Sequence, residues 1–394
     1  MSRGRLTVLT PFFPDERDSV SGAFVLDHAV ALAEDGWQVR VESPTPWLPA
    51  PLRRVGRWSH YANRRSGSLR GIDVSRPRYL RPPGRWFRGF AGRSMAWALQ
   101  RSEADAVIAH TLLPAGEAAV RRLSCPVVIV CHGSEVFQHA RESARTLAAA
   151  RTAIEGAAEV VCVSHALQES LFEIAKPGRS SVVYNGVDTA RFVPLEAPHR
   201  VAVRRRYELE PDDEVLLFVG LDFERKGLGT LLEAFRELRS RRPRARLLLV
   251  GPSDREVPSS LGVIALGRRP TEELPELTGC ADAAILPSNE EAFGCTLLEA
   301  ASCAVPVVGT SVDGIREVVV DEETGLLVPP GDPERLQSAV RLLLDDAELR
   351  RRLGAAARKR VVGEFSWGAH ARRFGEVLDR VRAEKTGHQT ATAE

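Results

Sequence analysis

Short apolar runs rich in valine, isoleucine and leucine alternate with stretches of helical periodicity along nearly the whole chain, and this alternation restricts the fold more than any other feature. RLTVLT at 5–10 precedes an amphipathic stretch from about Phe24 to Glu34, which leads into QVRVE at 38–42. After a Pro- and Arg-rich interruption the pattern resumes with DAVIAH, PVVIVCH, EVVCVS and SVVYN, each ending in a polar or glycine-containing loop. A second series follows the polar stretch 191–206: EVLLFVG, ARLLLVG, GVIALG, DAAILPS and PVVGT. Strands covered on both faces read as continuous apolar runs, and helical crossovers between them make the sheets parallel. At 394 residues the chain is too long for one core. The expectation is an α/β protein of two doubly wound, Rossmann-like domains, over residues 1–190 and 191–365. The last amphipathic pattern, about 366–385, should form a helix that packs back on the first domain, with 386–394 as a frayed end.

Several functions lack their usual signals. The first run is followed by a single glycine, Gly22, where a dinucleotide-binding turn needs G-x-G-x-x-G, so hydride transfer loses its main support. Neither a Walker loop nor G-x-S-x-G is present. The first residues carry only a short apolar run and no small-residue cleavage site, so no secretory signal is expected, and no window suggests a membrane span. The cysteines at 125, 131, 162, 280, 295 and 303 lie in apolar segments without C-x-x-C spacing. They fit buried thiols in a reducing cytosol, not a zinc site or a disulfide scaffold.

Charge is distributed unevenly. Between Arg53 and Arg93 stand twelve arginines and one acid, Asp73, a local charge of +11 in a chain whose net charge is +2, which leaves −9 elsewhere. Trp58, Tyr61, Tyr79, Trp86, Phe87, Phe90 and Trp97 lie within or just beyond this segment. The mixture suits an anionic membrane surface or a phosphorylated substrate, the alternative being a solvated arginine-rich insertion. Nothing resembles a groove-reading motif, so nucleic acid is not expected as a partner.

In the stretch SNEEAFGCTLLEAASC, 288–303, Glu291 and Glu299 stand on either side of a short apolar segment in a way that core packing does not require. With a helix beginning near Phe293 or Gly294, Glu299 projects from its second turn and Glu291 stands on the loop before it. The unsatisfied N–H groups of Gly294, Cys295 and Thr296 then face the space between. Carboxylates accept hydroxyl hydrogens and a helix N-terminus receives an anion, so the pattern suits a ligand that has both.

Taken in register, VGLDFERKG (219–227), PSNEEAFGCTLLEA (287–300), GIREVVVDEETGLLVPPGD (314–332), VCHGSEVF (130–137) and VYNGVDTARF (183–192) resemble segments of the retaining glycosyltransferases called family 4. The resemblance implies the GT-B architecture, two Rossmann-like domains facing a cleft, and transfer of a sugar from a nucleoside diphosphate. It assigns Arg225 and Lys226 to the departing diphosphate beside Gly220. Glu291 goes to the donor-sugar hydroxyls, the amides from Phe293 through Gly294 and Cys295 to Thr296 to sugar and phosphates, and Glu299 to the ribose. The resemblance also implies that His132 contacts the sugar near its anomeric centre; Gly22 either lets backbone approach the diphosphate or the acceptor or is a simple turn glycine. His110 fits a core or an acceptor-side position equally. Leu221 stands where the family usually has arginine, and Asp313 and Ala304 where it often has glycine.

The resulting expectation is a cytosolic, metal-independent, retaining glycosyltransferase without a cofactor, whose donor is a nucleotide sugar. The opening PFFPDERDSVSGAFV, with HTLLPAG, resembles transferases for cell-surface polysaccharides of the teichuronic acid type, which implies a glycan or polyprenyl-linked acceptor. The alternatives are a natural-product aglycone as acceptor, a sugar-nucleotide epimerase of the same architecture, and a catalytically silent sugar-nucleotide-binding subunit.

Overall fold

The computed structural model describes residues 3–15, 18–47, 64–81, 88–100, 102–253, 257, 262–312 and 314–391. Trp58, Tyr61, Trp86, Phe87 and the arginines at 53, 54, 57 and 85 lie outside them, as does Asp313. The chain divides into two units, 1–184 with 367–394 and 185–366. The first boundary thus falls between Tyr184 and Asn185, six residues before the position expected from composition.

Unit 1 is built on strands β1 (Gly4–Leu9), β2 (Trp37–Glu42), β3 (Thr45–Trp47), β4 (Gly67–Leu69), β5 (Ile72–Ser75), β6 (Arg78–Leu80), β7 (Ala106–His110), β8 (Val127–Cys131), β9 (Glu159–Cys162) and β10 (Ser180–Val182). Among the described residues, eight of them form one sheet in the order β10-β9-β8-β7-β1-β2-β5-β4, while β3 pairs with β6. Every pair in the large sheet is parallel except β4–β5. Val8, Ile108, Val128 and Val160 are fully buried. Each such side chain contributes roughly 1.5–3 kcal/mol.

Strands β4 to β6 lie in the Arg-rich interruption, where composition gave no sign of sheet. The cause is local. Arg70 and Gly71 both take positive φ, 48° and 79°, which suits a two-residue hairpin turn between β4 and β5. Ile72 and Val74 then point inward, and Asp73 and Ser75 outward.

Helix Trp367–Ala391 belongs to unit 1 and presents Ala371, Phe374, Leu378 and Val381 to its core. Arg380 donates to buried Glu159 at 2.7 Å, and Arg3 and Arg382 lie over the ring of Trp37. The backbone stays helical to Ala391, past the frayed end expected from residue 386, because extending a formed helix costs far less than nucleating one.

Unit 2 holds β11 (Glu214–Val219), β12 (Ala245–Val250), β13 (Val263–Gly267), β14 (Ala283–Leu286), β15 (Val307–Thr310) and β16 (Leu326–Val328). They form one parallel sheet in the order β13-β12-β11-β14-β15-β16. Strand order reverses between β11 and β14, and in an open α/β sheet the loops at the carboxyl ends of such a pair are where a ligand binds. Among the described residues no helix is long and apolar enough to cross a membrane.

Candidate functional site

In unit 2 the loop after β11 carries Gly220, Arg225 and Lys226, and the loop after β14 carries Glu291 and Phe293. The strand reversal brings these two loops side by side. Gly227, at φ 67°, begins helix Leu228–Arg241, and a Cβ there would overlap the carbonyl of Pro287. Asn289 then ties the loops together, its N–H reaching the Arg225 carbonyl at 2.8 Å and its amide the Glu224 carbonyl at 2.9 Å.

Lys226 Nζ lies 2.9 Å from Glu291 Oε2, and Arg225 Nη1 lies 3.8 Å from Glu291 Oε1. Arg225 also donates to Asp222 at 3.0 Å and to the Glu290 carbonyl at 3.2 Å. The lysine stem crosses Gly220, where any side chain would collide with its Cδ. Glu291 is 7% exposed. Burial alone would raise its carboxyl, but Lys226, Arg225 and the Ser288 hydroxyl together hold it below the ordinary carboxylate range. It is therefore an ionised, desolvated acceptor with two cations beside it.

Helix Cys295–Ser302 follows, with Gly294 at φ 90° before it. Its first helical bond runs from Leu297 to the Gly294 carbonyl, so the amides of Cys295 and Thr296 belong to the first turn that a helix leaves without intrahelical partners. Glu299 is half-buried on this helix. Cys295 departs from the expectation for all six cysteines: it is exposed and takes a 3.6 Å hydrogen bond from Asn185, while the other five are buried. Ala304 takes φ 56°, a region that glycine favours, which accounts for the family's frequent glycine there.

His132 and Gly22 lie in unit 1. Gly22, at φ 79°, packs so closely on Phe12 that a Cβ would overlap the Phe12 carbonyl, a backbone reason for glycine before helix Ala23–Glu34. His132 follows β8, and its N–H donates to the buried Glu135 carboxylate at 2.6 Å. Gly133, at φ 129°, allows that fold-back. Burial raises the Glu135 carboxyl despite the main-chain donors of this loop. His132 Nε2 lies 2.8 Å from His110 Nδ1. Buried His28 and His370 continue the cluster, with ring centroids 5.2 Å between His28 and His110 and 4.6 Å between His28 and His370. Among the described residues no three His, Cys, Asp or Glu side chains are arranged to hold a metal ion.

Glu135, Asn185, Ser288, His28 and His370 were not selected from sequence as site residues. Glu135 and Asn185 stand inside quoted motifs, and their polarity among apolar neighbours was the available signal. His28 and His370 are 342 positions apart, and nothing local in the sequence joins them.

Residues 21–191 match the family described as "Glycosyltransferase Family 4" and residues 200–360 the one described as "Glycosyl transferases group 1". The chain is 31% identical over 310 residues to a D-inositol 3-phosphate glycosyltransferase of Jonesia denitrificans, covering 71% of this chain and 72% of the relative. The corresponding protein of Kineococcus radiotolerans is 36% identical over 266 residues, but the match spans 60% of each chain. A glycosyltransferase of Bacillus subtilis named for teichuronic acid biosynthesis is 28% identical over 343 residues, 84% of this chain and 87% of its own. In fold, the chain is similar to sucrose-phosphate synthase from Thermosynechococcus elongatus, with a TM-score of 0.78 at 22% identity over 97% of this chain and 100% of that one. It is similar also to Anabaena HepE in complex with UDP-glucose, with a TM-score of 0.72 at 19% identity over 96% and 100%. The two parallel-sheet units are those of the GT-B fold.

Proposed function

The chain belongs to the family 4 glycosyltransferases, and from that premise we propose that it transfers a sugar from a nucleoside-diphosphate sugar to a hydroxyl of a glycan or polyprenyl-linked acceptor with retention at the anomeric carbon. The observation that carries this reading is the Arg225–Lys226–Glu291 constellation beside the first turn of helix Cys295–Ser302. Arg225 and Lys226 meet the diphosphate oxygens, which gain charge as the sugar leaves, and the amides of Cys295 and Thr296 add partial positive charge. Glu291, ionised and buried, accepts hydrogens from sugar hydroxyls. Glu299 takes the ribose diol. His132 faces the donor sugar.

The displacement proceeds on one face of the sugar. The acceptor oxygen bonds to the anomeric carbon as the bond from that carbon to the phosphate oxygen breaks, and the acceptor proton passes to the departing diphosphate. Positive side chains and amides take the place of a metal ion, and no cofactor is involved. A panel of UDP-, GDP-, ADP- and dTDP-sugars should raise the melting temperature of unit 2 selectively. Saturation at 100 times Kd adds about 2.7 kcal/mol, a shift of roughly 5–10 °C for a domain of this size. No shift from any member of the panel counts against the reading, and a strict need for added magnesium or manganese after EDTA treatment counts against its metal-free part.

For the acceptor, likeness to the Bacillus subtilis protein favours cell-surface polysaccharide synthesis on the cytoplasmic face of the membrane. A surface of unit 1 supports membrane docking. On helix Arg88–Ala98, Phe90, Arg93 and Trp97 share one face at helical spacing and are exposed, Trp97 by 80%. Trp47 and Leu80, cross-strand partners in β3 and β6, are exposed as well. The chain is expected to pellet with phosphatidylglycerol vesicles at low salt, to be released by high salt, and to lose binding in Phe90→Glu/Trp97→Glu. Retention in the supernatant with those vesicles at low salt would favour a soluble acceptor.

A further inference from the structure

We infer that His110 is a positioning residue whose bond to His132 fixes the ring orientation and tautomer of that site histidine, and that His110 does so from a buried layer continued by His28 and His370. The functional consequence rests on the reading that His132 faces the donor sugar; the positioning itself does not.

The geometry is specific. The planes of the His110 and His132 rings agree within 4°, and their nearest nitrogens are 2.8 Å apart while the centroids are 5.1 Å apart. The rings therefore meet edge to edge, along a lone-pair direction, instead of stacking. Such a bond contains one proton. If His110 gives it from Nδ1, neutral His132 carries its own proton on Nδ1; if His132 gives it from Nε2, neutral His110 carries its proton on Nε2. Neither ring can change tautomer alone. The nitrogens outside the bond, His110 Nε2 and His132 Nδ1, are buried and have no hydrogen-bond partner among the described residues.

Further anchors hold this pair in place. Phe24 packs edge-on against His132 at 4.7 Å between centroids, and His110 is fully buried at the end of β7. His370 Nδ1 lies 2.7 Å from the Tyr184 carbonyl, which can only accept, so the His370 proton is on Nδ1. His28 fills the space between His370 and His110, and its Nε2 is buried without a hydrogen-bond partner among the described residues. Among the described residues, the titratable and charged groups around His132 include His110, His28, His370 with Arg373 beside it, and Glu135 on its main-chain side. Burial, aided by His370, pushes the His132 imidazole down to about 3. With both nitrogens engaged or buried, the ring anchors the 132–134 loop and does not shuttle protons at neutral pH.

The test uses full-length protein labelled with 15N in its histidine rings, followed from pH 8 to pH 6, above the range in which unit 1 unfolds. In the wild-type chain His132 should stay neutral in a single tautomer. His110→Asn, whose amide falls near the former Nδ1, should keep that tautomer, whereas His110→Gln, whose amide falls near the former Nε2, should show exchange-averaged shifts and a titration within the window. The same His110→Gln chain should turn over the nucleotide sugar selected by the melting panel about 10-fold more slowly than the Asn variant, with an acidic limb that the Asn variant lacks. Identical His132 spectra in the Asn and Gln variants overturn the inference, and folding of both is checked by their amide spectra. Should the spectra separate as expected while His132→Ala turns over at the wild-type rate, the positioning stands and the placement of His132 at the donor fails.

Discussion

Replacing Lys226 with alanine is expected to lower turnover by about 100–1,000-fold, the loss of about 2.7–4 kcal/mol that follows removal of one preorganised group facing developing negative charge. The lysine has two neighbours of consequence in the structure, the Glu291 carboxylate at 2.9 Å and Gly220 beneath its stem. Alanine removes charge, packing and the main partner of a buried carboxylate together. Part of the effect would therefore be stability, since a buried charge that loses its partner is costly. Lys226→Met keeps the stem over Gly220 and removes only the ammonium, and it should match alanine in turnover while melting closer to wild type. In Lys226→Met/Glu291→Gln the stability loss should shrink further, because no charge is left unpaired, but turnover should not recover. Initial rates and melting curves on the four chains separate these contributions. Wild-type turnover in Lys226→Met would remove this lysine from the transition state.

Acidification from pH 6.5 towards pH 4 should unfold unit 1 through its histidine cluster. Burial lowers all four imidazoles: His132 to about 3, His370 to about 4, and His28 and His110 well below the ordinary value. A folded-state pKa below the unfolded one means that the unfolded chain binds protons which the folded chain refuses. Stability is thus complete above about pH 6.5 and falls as pH drops towards the folded values. Each histidine contributes about 1.4 kcal/mol per pH unit in that window, so by pH 5 the four together approach the roughly 5–15 kcal/mol that holds a whole domain. All six tryptophans belong to unit 1, so their fluorescence reports this unit selectively. His28→Phe and His370→Phe, which retain an aromatic ring, should each move the acid midpoint downwards. A midpoint that stays fixed in both would assign acid sensitivity to other groups.

Legibility from sequence follows the range of the interactions concerned. Strand runs such as PVVIVC and EVLLFV announced two parallel sheets because a strand covered on both faces must be apolar throughout, a requirement set within six residues. Arg225, Lys226, Glu291 and Glu299 were selected because they stand at fixed offsets in short motifs; the first three lie on the loops after β11 and β14, and Glu299 on the helix that follows the second loop. Strands β4 to β6 were not expected because each is only three or four residues long, too short to establish an apolar period among the arginines and prolines that surround them.

What the sequence determined by itself is therefore the class of fold, the family and the loops that carry charge, all encoded in neighbouring residues. Only the tertiary structure decided that Lys226 and Glu291, 65 positions apart, form one ion pair, and that His28, His110, His132 and His370 share one buried layer. The reason is physical. Burial and pairing depend on which strands become neighbours in the sheet and which helix returns to cover them, and a side chain's local sequence holds no record of either.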